Sequence, residues 1–199
     1  MLKLFENPAS GNCYKVRLLL HHLGRPLERV FVDVTPGSTR PADLLALSPT
    51  GRVPLLLLDD GTPLTESNAI LNYLASGTAY LPDEALERSR VLAWTYFEQN
   101  LHEPHIATRR YWVSLVEDSS PRANQLDFWL ENGKRALATM QKELETNAFF
   151  GSDHYTIADI ALFAYTHVAD EGGFDLGDYP AIGEWMNRVR EQPGFVPMG

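Results

Sequence analysis

The spacing of apolar residues changes several times within the first part of the chain. Residues 2–5 form a short apolar run before a Pro-Ala-Ser-Gly-Asn turn, which predicts a strand followed by a loop. Over residues 14–23 the apolar positions recur at helical intervals, and Gly24 and Pro26 supply a helix end. Residues 27–34 alternate between apolar and polar, so they predict a second strand.

The next segment adds two helices and a hairpin. Residues 41–47 predict a short helix, and residues 55–58 an apolar strand. Asp60-Gly61 is a strong hairpin signal, and residues 67–75 predict another helix. The order β-α-β-α-β-β-α predicts a thioredoxin-like domain over residues 1–76, with a small mixed sheet between helices.

The remaining chain is helical by pattern and contains no strand-like run. Residues 77–82 have the composition of a linker, and Asp83-Glu84 suit the first turn of a helix. Three further helices are predicted, over residues 121–145, 156–168 and 180–191. The predicted fold is therefore an α/β thioredoxin-like domain followed by an all-helical C-terminal domain over residues 83–199.

Composition narrows the classes of function. The 199 residues are 44% hydrophobic and 22% charged, which is typical of a soluble globular chain. A net charge of −9 argues against a nucleic-acid partner, because a basic excess to neutralise phosphates is missing. The apolar runs are too short for a membrane span. The single cysteine and the lack of a signal-like N-terminus favour the cytoplasm.

The segment from Gly51 to Ser67 carries the clearest binding chemistry. Pro54 opens the predicted third strand, and a cis Val53-Pro54 bond would turn the Val53 main chain towards an extended peptide. Ser67 opens a helix, whose N-terminal N–H groups and dipole favour a carboxylate. These features predict a site for a small acidic peptide.

This segment resembles the glutathione-binding half of the cytosolic glutathione transferases. The resemblance implies that Val53, before a cis Pro54, pairs with the cysteinyl backbone of glutathione. It also implies that Glu66 and Ser67 hold the γ-glutamyl end. The domain order fits the family as well, so the resemblance spans nearly the whole chain. It implies glutathione as co-substrate, a small electrophile as second substrate, a role in detoxification and a homodimer.

The turn before the first predicted helix resembles that of serine-type members, in which a serine at the place of Ser10 donates a hydrogen bond to the glutathione sulfur. A free thiol has a pKa around 8.5, so a hydroxyl donor at a helix N-terminus favours the thiolate. Lowering that pKa by about two units requires about 2.7 kcal/mol. The alternative role for Ser10 is a helix N-cap.

Asn12 and Cys13 are the other polar candidates in this turn. In nu-like relatives an asparagine after the hydroxyl residue contacts the sulfur, and the Ser-Gly-Asn order partly reproduces this arrangement. Asn12 is equally suited to a plain turn. Cys13 resembles the reactive cysteine of beta-class enzymes only if the spacing to Gly24 is broken, so a packed or partly exposed thiol is favoured over a reactive one.

Cations and aromatic residues complete the set of candidates. Arg40 and Arg52 lie nearest in sequence to the motif and suit the glycine carboxylate of glutathione, although each also suits a solvated surface. An electrophile pocket is expected between the two domains. Its candidate residues are also compatible with ordinary helix packing; they are His105, Arg109, Tyr111 and Trp112.

Two other patterns are assigned no catalytic role. Thr156 to Asp159 has the form of a capping box, which indicates a folding role. The histidines and the single cysteine do not have the spacing of a metal site.

Three functions stay open at this point. The leading one is a transferase that joins a glutathione thiolate, activated by Ser10, to small electrophiles. The second is a glutathione-dependent disulfide reductase or dehalogenase, in which Ser10 or Asn12 holds the attacking thiolate. The third is a glutathione- or ligand-binding module without turnover on the same fold. A hydroxyl facing the sulfur favours the two enzymes over the module.

Overall fold

The computed structural model describes residues 1–35, 38 and 40–199. The chain divides into two compact units, one formed by Met1–Ser76 with Pro193–Gly199 and the other by Gly77–Gln192. The first is thioredoxin-like and the second is all-helical, so the predicted fold class is confirmed. The predicted helical range ran through Gly199, whereas the segment from Pro193 belongs to the first unit.

The first unit contains a four-stranded mixed sheet. The strands are β1 (Leu2–Glu6), β2 (Leu27–Phe31), β3 (Leu55–Leu57) and β4 (Pro63–Thr65), in the order β2-β1-β3-β4. β1 and β2 are parallel, while β3 runs antiparallel to both β1 and β4. The helices are α1 (Gly11–His22), α2 (Ala42–Leu47) and α3 (Ser67–Ala75).

The strand register brings three connecting segments to the same end of this sheet. Leu55, the first residue of β3, pairs with Phe5 near the end of β1 and with Thr65 at the end of β4. The loop after β1, the segment before β3 and the turn after β4 therefore lie at the same end. The sheet thus gathers the segments that hold Ser10, Val53 and Ser67.

A cluster of packed apolar side chains lies at this end of the sheet. Its fully buried members include Val32, Leu44 and Leu55, and Val53 packs against it from the β3 side. Burial of an aliphatic side chain of this size contributes about 2 kcal/mol. The segment before β3 is therefore anchored by packing.

Side chains of α1 contact both a buried ionic group and the C-terminal segment. Glu6 is buried in contact with Arg29 and lies 3.0 Å from the Arg17 guanidinium. Arg17 also donates to the Gly199 main-chain oxygen at 2.7 Å, and Tyr14 Oη donates to the Val196 carbonyl at 2.6 Å. The segment 193–199 carries no apolar periodicity, so its position was not predicted from the sequence.

The second unit contains five main helices among its residues: α4 (Ala85–Phe97), α5 (Glu103–Arg110), α6 (Ala123–Leu144), α7 (Ile157–Thr166) and α8 (Pro180–Arg190). The last three match the predicted helices within a few residues. The Glu84 side chain caps α4 by accepting from the N–H groups of Leu86 and Glu87, as its position suggested. α5 was missed, because Pro104 resembles a break although it lies in the first turn, where proline is tolerated.

The core of this unit is α7, which is buried along its whole length. Thr156 and Asp159 form the predicted capping box at its start, with Thr156 as the N-cap. The described helices lack the combination of length and apolar composition that crossing a membrane requires.

Candidate functional site

Val53 is the candidate for pairing with a peptide main chain, and the Val53-Pro54 peptide bond is cis. Val53 lies outside the β3–β4 ladder. Within the described part of the chain its main-chain N–H and C=O have no hydrogen-bond partner. Main-chain groups of this kind are what an extended peptide needs in order to pair.

The turn after β4 places two polar residues at the start of α3. Glu66 has φ 67° and ψ 111°, and among the described residues it is the one non-glycine with positive φ. Such backbone conformations are uncommon and cluster at functional sites. The Glu66 side chain is exposed, whereas Ser67 is 4% exposed. The N–H groups in the first turn of α3 can receive an anion at this point.

Ser10 is the N-cap of α1. Its φ of −83° and ψ of 116° are extended, and its Oγ accepts a hydrogen bond from the Cys13 N–H at 3.3 Å. The capping role considered for Ser10 is therefore present. That bond uses a lone pair of the oxygen and does not consume the hydroxyl proton, so Ser10 can still donate to a ligand.

Asn12, Ser67 and Lys15 form a connected polar group. Ser67 Oγ donates to Asn12 Oδ1 at 3.1 Å, and Lys15 Nζ donates to Ser67 Oγ at 3.4 Å. Lys15 is fully buried. Sequence reasoning missed Lys15, although it is flanked by Tyr14 and Val16, which are two of the apolar residues of α1.

Cys13 lies in the first turn of α1 and is fully buried. Burial raises the pKa of its thiol to about 11. The prediction of a packed thiol is confirmed, and at neutral pH Cys13 is protonated and shielded from solvent.

The two candidate arginines are placed differently. The Arg40 guanidinium donates to the main-chain oxygens of Asp33 at 2.6 Å and Val34 at 3.5 Å, so it braces the loop after β2. Arg52 is exposed, and its side chain has no partner among residues 1–35, 38 and 40–199. Arg52 is therefore the cation that is available for a ligand carboxylate.

The predicted electrophile residues lie on α5 and on the π-helical segment that follows it (Tyr111–Leu115), in the second unit. His105 packs edge-on against Phe128 at 5.6 Å, and burial lowers the pKa of its imidazole. Arg109 donates to the Gly172 carbonyl at 2.7 Å. Tyr111 and Trp112 contact each other edge-to-face at 5.6 Å.

Comparisons with known proteins agree on one family. The model "Glutathione S-transferase, N-terminal domain" matches residues 9–76, and "Glutathione S-transferase, C-terminal domain" matches residues 106–193. A solved glutathione S-transferase from Pseudomonas fluorescens Pf-5 is 48% identical, with a TM-score of 0.94, over 99% of this chain and 98% of its own.

More distant relatives carry different names. The disulfide-bond oxidoreductase YfcG of Escherichia coli K12 is 28% identical over 97% of this chain and 92% of its own. The yeast protein Ure2p, solved in complex with glutathione, is 22% identical with a TM-score of 0.84, over 97% of this chain and 90% of its own. At that identity the likeness to Ure2p bears on the fold alone.

Proposed function

Since the chain belongs to the glutathione S-transferase family, we propose that it binds glutathione in its first unit and transfers the thiolate to small electrophiles in detoxification. The observation that carries this proposal is the gathering of Ser10, Val53 and Ser67 at one end of a single sheet. A tripeptide laid across that end meets a group suited to each of its parts.

Each part of glutathione has a partner of matching chemistry. The main chain of Val53 pairs with the cysteinyl backbone, since both its N–H and its C=O can form hydrogen bonds there. Ser67 and the first turn of α3 take the γ-glutamyl carboxylate. The exposed Glu66 carboxylate takes the γ-glutamyl ammonium by opposite charge.

Ser10 acts on the sulfur. Its hydroxyl donates to the thiolate while its oxygen continues to accept from the Cys13 N–H. The α1 N-terminus adds a favourable dipole, so the bound thiolate is stabilised relative to the thiol. Asn12 is the second donor near this position, through its side-chain amide. The electrophile is held by the α5 segment, with His105, Arg109, Tyr111 and Trp112 as its candidate contacts.

Arg52 is expected to bind the glycine carboxylate. The Arg52→Ala variant should weaken glutathione binding by about 1–3 kcal/mol, because a charge-assisted hydrogen bond is lost. Titration calorimetry measures this with glutathione and with γ-glutamylcysteine, which lacks the glycine. The dipeptide should bind wild type and variant alike.

Arg25→Ala is the matched control for the Arg52 experiment. Arg25 is also exposed, but it follows the C-terminus of α1, far from the α1 N-terminus where Ser10 lies. The Arg25→Ala substitution changes the net charge by the same amount as Arg52→Ala and should leave glutathione binding unaltered. Equal affinities of wild type and Arg52→Ala for glutathione would remove Arg52 from the site.

A second candidate function is glutathione-dependent disulfide reduction, favoured by the similarity to the disulfide-bond oxidoreductase YfcG. A bound glutathione thiolate attacks a disulfide, forms a mixed disulfide and releases one thiolate. Because Cys13 is buried, a second glutathione must resolve the mixed disulfide and leave as oxidised glutathione. Turnover of a model disulfide with equimolar oxidised glutathione would favour this candidate over conjugation.

We expect the protein to act as a homodimer in the cytoplasm. Several large apolar side chains are exposed on the single chain, among them Phe31 at 64% and Tyr96 at 62%, and burial against a second copy removes such surface from water. Light scattering should give about twice the 22.4 kDa of one chain. A mass of one chain would contradict the dimer.

A further inference from the structure

Lys15 occupies an unusual place for a lysine. It lies in the second turn of α1 with 0% of its surface exposed, although lysine is almost never fully buried in proteins without compensation. Its Nζ is 3.4 Å from Ser67 Oγ at the start of α3. The Lys15 side chain therefore contacts the residue proposed to receive the γ-glutamyl carboxylate.

The direction of the hydrogen bonds follows from the donor chemistry. An ammonium group only donates, so Ser67 Oγ accepts a hydrogen bond from Lys15 and donates one to Asn12 Oδ1. Lys15 thus fixes the orientation of the Ser67 hydroxyl at the start of α3.

We propose that Lys15 is a positioning residue that makes the site selective for peptides with a free α-carboxylate on their γ-glutamyl end. This inference rests on the proposed function. A carboxylate that accepts from the Ser67 main-chain N–H lies close to the Lys15 ammonium, which contacts the side chain of the same residue. Their attraction is strengthened because the ammonium is shielded from water. The α3 N-terminus attracts any anion, whereas Lys15 adds a full charge at one defined point.

The test combines a protein variant with a ligand variant. The probes are glutathione and 4-aminobutyryl-cysteinylglycine, which differs from it only by lacking the α-carboxylate. Wild type should bind the analogue about 100-fold more weakly than glutathione. The Lys15→Met variant should bind glutathione about 10- to 100-fold more weakly than wild type but the analogue equally well. A merely structural role would weaken both ligands together.

Lys3→Met is the charge-matched control, since Lys3 pairs with Glu28 on the sheet and is partly exposed. It should leave both affinities unchanged. Ser67→Ala provides an independent test if Lys15→Met does not fold. With Lys15 in place, this variant should retain at least a tenfold preference for glutathione over the analogue, and loss of the whole preference would overturn the role of Lys15.

The outcomes separate this inference from the proposed function. If wild type binds glutathione and Lys15→Met keeps the wild-type preference for the α-carboxylate, the inference fails and the proposed function stands. If wild type does not bind glutathione, both fail.

Discussion

The Ser10→Ala variant is expected to conjugate glutathione to a model electrophile with kcat/KM lowered by up to about 100-fold, while its Kd for glutathione at pH 7 rises by no more than about fourfold. A stabilisation of the thiolate by about two pKa units corresponds to about 2.7 kcal/mol. The Ser10 hydroxyl and the α1 N-terminus supply it together, so the hydroxyl accounts for at most this amount. Binding is retained because Val53, Glu66 and Ser67 hold the rest of the peptide. Steady-state kinetics and titration calorimetry measure the two quantities.

Ser10→Thr is the matched control for this prediction. Threonine keeps the hydroxyl and is a good N-cap, so activity should stay near that of wild type. Ser10→Ala also removes the cap of α1, which should cost about 1 kcal/mol of stability and is followed separately by thermal unfolding. Full activity in Ser10→Ala together with its loss in Asn12→Ala would assign the donor to Asn12 instead.

The Asp159→Ala variant is expected to lose about 4 kcal/mol of unfolding free energy. Asp159 is fully buried, and its carboxylate accepts from the N–H groups of Phe150 at 3.1 Å and Thr156 at 2.9 Å and from Trp185 Nε1 at 2.9 Å. Alanine leaves all these donors buried without an acceptor, at about 1–3 kcal/mol each before relaxation. Urea unfolding measures the loss, and Glu184→Ala on the exposed face of α8 should change stability by less than about 0.5 kcal/mol.

Asp159 also gives a pH dependence with a defined sign. Burial raises its pKa to about 7, compared with about 3.9 in an unfolded chain. The folded state therefore binds the proton more tightly than the unfolded chain does. The stabilisation of the folded state by this proton is complete below about pH 4 and is lost as the pH rises to about 7. The stability of wild type relative to Asp159→Asn should fall by about 1.4 kcal/mol per pH unit across this window. A difference that stays constant from pH 4 to 7 would contradict the raised pKa.

Most of the first unit was predictable because its signals are local. Strands and helices there are separated by turn residues such as Asp60-Gly61 and Gly24, and the apolar spacing changes period at each boundary. The apolar periodicity of α1 begins only near residue 14, whereas the helix begins at Gly11, as the capping alternative for Ser10 implies. Ser10 and Asn12 at that boundary are polar, and a capped helix start carries no apolar periodicity.

What the sequence left open depends on contacts between distant residues. Arg40 and Arg52 are of the same residue type, and Arg52 is favoured in the sequence only because it adjoins Val53. The bonds of Arg40 to the loop after β2 separate the two residues in the structure. Lys15 was overlooked because a lysine within a helix is normally exposed, and its burial depends on the packing of α1 against α3. The segment from Pro193 is held on the first unit by hydrogen bonds to its main-chain oxygens. Every residue type has such an oxygen, so these contacts cannot be predicted from the sequence.

The central claim is that this chain holds glutathione as a thiolate through Ser10. The most direct test is the ultraviolet difference spectrum of glutathione bound to wild type and to Ser10→Ala, followed across pH. We predict a thiolate band in wild type with an apparent pKa about two units below that of the free thiol, which is around 8.5, and a return towards the free value in the variant. Binding to wild type without a thiolate band at neutral pH, or the same pKa in both proteins, would contradict the account.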